Sequence, residues 1–217
     1  MPGQNWKQFN QAQSAFRVSG TANWGEARIL FDRINQHRAA QNPPLQPLIF
    51  NQAMATSAMQ RAGETYVFFD HMRPNGVAFE NFFFSLLPAG LVSAGARGSE
   101  NLAGSDNYAS SGLGAFNQWL NSPGHNRIML MPDQGQRIFA GVGFVQVPGN
   151  GFRATLLVVS TNNDFHRNNF AQMSHPGGQA SAVYTVPFNR TFYNSRPNTY
   201  WHPATIRQLN HTFGENR

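Results

Sequence analysis

The chain contains no cysteine and only one lysine, and each shortage removes a class of function. Without cysteine there are no disulfides, no thiolate zinc site and no cysteine nucleophile, although the compartment stays open. A phosphate-cradling Walker loop needs a lysine after its glycines, and Lys7 lies far from any such loop. No run of about 18 uninterrupted apolar residues is present, so no helical membrane span is expected. Met1 to Gly20 also lacks the basic start, apolar stretch and cleavage site of a secretory signal, so a signal is expected to be either already removed or never present. No two histidines stand four apart, which excludes a zincin-type helix, and there is no Gly-x-Ser-x-Gly elbow.

The formal charge is +6, and its distribution decides what it means. Residues 25–164 hold nine Arg against five Asp and four Glu, so they are neutral, whereas 1–24 carry +2 and 165–217 carry +4. The basic residues of these two arms are scattered. Nucleic-acid binding through them is therefore the weakest of the functional readings, because phosphate recognition needs a concentrated basic footprint.

At 217 residues the chain is long enough for one core with appendages. Trp24, Ala27, Leu30, Phe31 and Ile34 recur at three- and four-residue intervals, which predicts a helix from about Glu26 to Ala40, stopped by Asn42-Pro43-Pro44. A second helix is predicted after the N-cap residue Asn51, with Met54, Ala58 and Ala62 inward, to about Thr65. A third covers Gly112 to Leu120 with Leu113, Phe116 and Leu120 on one stripe and Trp119 beside it. Ser122-Pro123 reads as an N-cap and first helical position, placing His125 in the first turn of a short helix.

Residues 137–147 and 152–161 are β-rich around the turn Pro148-Gly149-Asn150-Gly151, so a hairpin is expected there. Gly149-Asn150-Gly151-Phe152-Arg153-Ala154 matches the dinucleotide fingerprint in letters only, since it joins two strands instead of opening a helix. The apolar run Leu156-Leu157-Val158-Val159 predicts a strand covered on both faces. These elements predict a three-layer α/β/α sandwich with a central antiparallel sheet. The expected division is a polar N-terminal arm (1–24), a folded domain (25–164) and an Asn/His/Pro-rich basic appendage (165–217), extended or partly ordered. Phe82, Phe83 and Phe84 read as core, and the histidines His166, His175, His202 and His211 as polar-tail residues.

Several segments, in order, carry a family resemblance. Phe69-Asp70-His71-Met72-Arg73-Pro74-Asn75-Gly76, Ser99-Glu100-Asn101-Leu102-Ala103, Phe116 through His125 with its Asn121-Ser122-Pro123-Gly124-His125 end, and Gly141-Val142-Gly143 resemble the motifs of cysteine-free, bacterial SCP-like domains of the CAP superfamily. Ile34-Asn35-Gln36-His37-Arg38 resembles the family's first helix. The superfamily is that of cysteine-rich secretory, antigen 5 and pathogenesis-related proteins. The resemblance implies an α/β/α sandwich whose cleft holds two histidines and two acids. His71 and His125 match the histidines and Glu100 the first acid, while the position of the second acid is Ser122, a departure from the pattern.

Two neutral imidazoles converging from separate segments are candidate ligands for Zn²⁺ or another divalent cation, with Glu100 and Ser122 beside them. The resemblance points to an extracellular or cell-surface binding module for a lipid, glycan, peptide or protein ligand. The alternative is a metal-assisted hydrolase with Glu100 as base.

Overall fold

A computed structural model describes residues 6–81, 97–106, 111–132, 137–161 and 176–214. Phe82, Phe83 and Phe84, with His166 and His175, lie outside them. Helices α1 (Trp24–Ala39), α2 (Gln52–Glu64) and α3 (Gly112–Leu120) stand within two residues of the predicted bounds, α4 (Pro123–Met129) starts at Pro123 as predicted, and α5 (Arg190–Ser195) and α6 (Pro203–Phe213) follow near the C-terminus. The strands are β1 (Lys7–Asn10), β2 (Ala15–Asn23), β3 (Ile49–Phe50), β4 (Arg97–Ser105), β5 (Arg137–Gln146), β6 (Phe152–Thr161) and β7 (Gln179–Pro187).

Helix starts follow from side chains that accept orphan backbone N–H groups. Asn23 caps α1 through the Glu26 amide, Asn51 caps α2 through that of Met54, and Asn189 caps α5 through that of Phe192. Ser122 occupies the cap position of α4, yet its side chain makes no capping hydrogen bond; Pro123 at the first position starts the helix instead. On α3 the buried residues are Gly112, Ala115, Phe116 and Trp119, whereas Leu113 and Leu120 are exposed. The inward stripe is thus rotated from the one predicted toward Ala115 and Trp119.

The strands form one sheet running β2-β5-β6-β4, antiparallel except for the short β3–β5 pairing. One edge of β2 is shared by β1 and β5, and the other pairs along its length with β7. All ten residues of β6 are buried, as the continuous apolar run predicted. On one face Phe139, Leu157 and Val159 meet Met54 and Ala58 of α2. On the other, Val142, Leu156 and Val158 join the large core that includes Ile34 of α1 and Trp119 of α3. This is the predicted α/β/α sandwich. Gly141 and Gly143 permit the close seating of α2, since a Cβ at either would run into the backbone of Ala55 or Ala58.

The two arms are corrected by the structure. Residues 7–23 form β1 and β2, and 176–214 supply β7, α5 and α6, so both belong to the sheet and its core instead of trailing from it. Val18, Val186, Tyr193, Trp201 and Leu209 are almost wholly buried. Polar composition set the earlier expectation, but a few large apolar anchors decide the packing. Lys7 is itself buried, donating to the Tyr66 carbonyl and the Thr205 hydroxyl and lying 4.8 Å from the Trp6 ring centre. Arg190 and Arg196 lie over Phe213 and Phe192.

Candidate functional site

The site is assembled where the loop after α2, strand β4 and helix α4 meet. Asp70 accepts from the Met72 amide (2.8 Å), and a bridge between Met72 and Ala78 closes a turn at Gly76, whose φ of +84° suits glycine. This turn holds His71 at the surface, its side chain 55% exposed. Glu100 points from β4 and is buried. Asn101, its neighbour, donates to the backbone carbonyl of His125 (2.9 Å), which ties the start of α4 to the same strand.

A buried charge network lies beneath. Arg61 of α2 donates to both oxygens of Glu100 (2.8 and 3.1 Å), to Glu64 (2.9 Å) and to the Asp70 carbonyl (3.0 Å). Arg73, in the histidine loop, makes a two-pronged contact with Glu64. Burial is the largest single influence on Arg61 and works against its charge, but the Glu100 and Glu64 carboxylates together hold its pKa above the ordinary value. The remaining capacity of Glu100 goes to His71, whose Nδ1 lies 2.9 Å from Oε2. With a carboxylate as partner Nδ1 carries the proton, leaving Nε2 as the free ring nitrogen.

The two imidazoles differ electrostatically. The hydrogen bond to Glu100 raises the pKa of His71 above 6.5, although partial burial opposes it. Burial first, and the neighbouring His71 second, lower that of His125. Among the described residues no group of three or more His, Asp or Glu side chains is arranged around a common metal position. Glu100 is committed to Arg61 and His71, so it fits an orienting role better than a ligand or general base. Ser122 is half-buried at the foot of α4, without a hydrogen bond from its hydroxyl to either histidine.

Arg61, Glu64 and Arg73 were missed by sequence reasoning. A signal existed for Arg61: it shares the inward face of α2 with Ala58 and Ala62, and a charge on an apolar stripe demands a buried partner.

The model of the cysteine-rich secretory protein family, CAP, matches residues 31–172. The chain belongs to this family. No curated protein matches the sequence. Among solved structures, this CAP protein is similar to an outer surface protein from Borrelia burgdorferi, at 18% identity with a TM-score of 0.47, over 62% of this chain and 91% of that one. Strands β1, β2 and β7 and helices α5 and α6 lie outside the segment matched by the CAP model. No helix among the described residues is long and apolar enough to cross a membrane.

Proposed function

We propose that this CAP protein is an extracellular or cell-surface recognition module whose cleft presents His71 and His125 to a divalent cation such as Zn²⁺ and to a lipid, glycan, peptide or protein ligand. The observation that supports this is the exposed His71 ring oriented by a buried carboxylate, itself clamped by Arg61. A carboxylate on one ring nitrogen fixes the tautomer and raises the basicity of the other, as metal-binding histidines require. Two imidazoles make an open site, so water or ligand atoms complete the coordination and affinity is modest beside structural zinc. The hydrolase alternative loses its base, because Glu100 already neutralises Arg61.

Calorimetric titration of Zn²⁺ at pH 7.5 tests the reading. Wild type is expected to bind one ion, His71→Ala and His125→Ala to lose it with little change in melting, and Glu100→Gln to weaken it about 10- to 100-fold. Undiminished binding in either histidine variant overturns the shared site. Chelator-sensitive turnover of model esters or peptides would overturn the recognition role in favour of hydrolysis.

A further inference from the structure

A concavity of about 380 Å³ lies where the C-terminal segment closes over the matched CAP region, within the size range of small-molecule sites. Its walls include Phe69 from the loop after α2, Asp106 after β4, Arg153 of β6, and Tyr200, Trp201 and His202 between α5 and α6. His71, Glu100, Ser122 and His125 are not among the residues that line it. Phe69 and Tyr200 are among the exposed large apolar residues, at 39% and 42%.

The polar character of these walls is one-sided. Arg153 is 8% exposed; its guanidinium donates to the Phe152 carbonyl (2.8 Å) and the Ser105 carbonyl (3.3 Å) and lies 4.7 Å from the Tyr66 ring centre and 5.7 Å from that of Phe69. Its Nε is buried with no hydrogen-bond partner, and so is Nε1 of Trp201. His202 accepts the Ala204 amide at Nδ1, so its Nε2 is a donor, and burial, reinforced by Lys7 and Arg153, keeps the ring neutral with a pKa pushed down to about 3. Among the described residues the carboxylate in contact with Arg153 is Asp106, at 3.3 Å and with its side chain 85% exposed, longer than the 2.7–2.9 Å of a good charge-assisted bond. Buried donors without acceptors are rare in folded proteins; these two lie behind the wall and add to its donor character, while the Arg153 atom that a ligand can reach is Nη2, which faces the exposed Asp106.

We propose that this pocket binds a small aromatic carboxylate, its charged group taking the place of Asp106 on Arg153 and its ring lying against Phe69 and Tyr200. The same chemistry is carried by a free aromatic acid and by the C-terminal phenylalanine of a peptide. The test is ligand-observed NMR on the full chain with 3-phenylpropanoate, N-acetylphenylalanine and N-acetylphenylalaninamide. Both acids are expected to bind with Kd of about 0.1–1 mM and the amide at least tenfold more weakly. The tighter of the two acids identifies the source, free acid or peptide terminus. Asp106→Asn removes the competing carboxylate and should tighten acid binding about two- to fivefold, whereas Tyr200→Ala should weaken it about five- to tenfold. Both residues are exposed, so melting curves should stay unchanged. Absence of acid binding, equal binding of the amide, or an Asp106→Asn variant that binds no better than wild type would overturn the proposal.

Discussion

Arg61→Met isolates what the buried charge network contributes. The substitution keeps an unbranched chain in the core but deletes four hydrogen bonds, two to Glu100 and one each to Glu64 and the Asp70 carbonyl. Glu64 retains Arg73. Glu100, 2% exposed, retains only His71 as a cationic partner among the described residues. Removing one member of a buried pair costs about 3–5 kcal/mol, mostly because the other charge stays desolvated. For a domain of this size that corresponds to about 6–20 °C in Tm.

The pH dependence carries a sign. The folded pKa of His71 lies above 6.5, so its contact with Glu100 adds stability that is fully present below the unfolded value and is lost as pH rises through the folded one. In the wild type this contribution is small, because the side chain is 55% exposed and Arg61 already supplies Glu100 with a counter-charge. In Arg61→Met, protonated His71 becomes the sole counter-charge, and the deficit should be smaller at pH 5.5 than at pH 8.5. Adding Glu100→Gln should recover part of the loss, since the stranded charge disappears. Urea unfolding of both single variants and the double at the two pH values measures all of this. A melting change under about 2 °C, a deficit that grows on acidification, or strict additivity of the two substitutions would refute the reasoning.

Trp119→Ala should cost about 3–5 kcal/mol by denaturant unfolding, because the fully buried indole fills the core beneath α3 and donates to the Leu102 carbonyl at 3.0 Å. A chain ending at Asn163 should lose cooperative unfolding, since it strips β7 from β2 and uncovers the partners of Trp201 and Tyr193; a sharp melt near the full-length value would show that the C-terminal segment is dispensable for folding. In an NMR titration His71 should titrate above 6.5 and His125 below it, and Glu100→Gln should bring His71 down toward 6.5; an unchanged His71 value in that variant would contradict the hydrogen bond.

How much of this was legible depends on how local the signal is. Helix α1 could be read from the spacing of its apolar side chains and α2 from an asparagine cap directly before an apolar stripe, and the β5–β6 hairpin from Pro148-Gly149-Asn150-Gly151 between two apolar runs, where Gly149 and Gly151 adopt positive φ. The C-terminal segment had no comparable pattern. Of the nine residues of β7, only Tyr184 and Val186 are buried, and Val183 points outward at 52% exposure, so the alternation is too short to register. Tyr193, Trp201 and Leu209 stand eight residues apart, each in a polar setting, and their common destination is set by Phe68, Phe188 and the sheet, which no window of neighbouring residues contains.

The candidate site divides in the same way, and the division bears on its chemistry. His71, Glu100 and His125 were found through ordered motifs, whereas the partner that fixes the role of Glu100 is Arg61, 39 positions away and on another element. By motif alone Glu100 can serve as base, ligand or orienting group. A carboxylate that accepts both Nε–H and Nη2–H from a fully buried arginine already has its charge paired, so giving it up to a proton or a metal would cost Arg61 two of its four hydrogen bonds and leave it Glu64 and the Asp70 carbonyl. Of the three roles only the orienting one leaves Arg61 satisfied. On the proposed reading, binding at the cleft then falls to the free nitrogens of the two imidazoles.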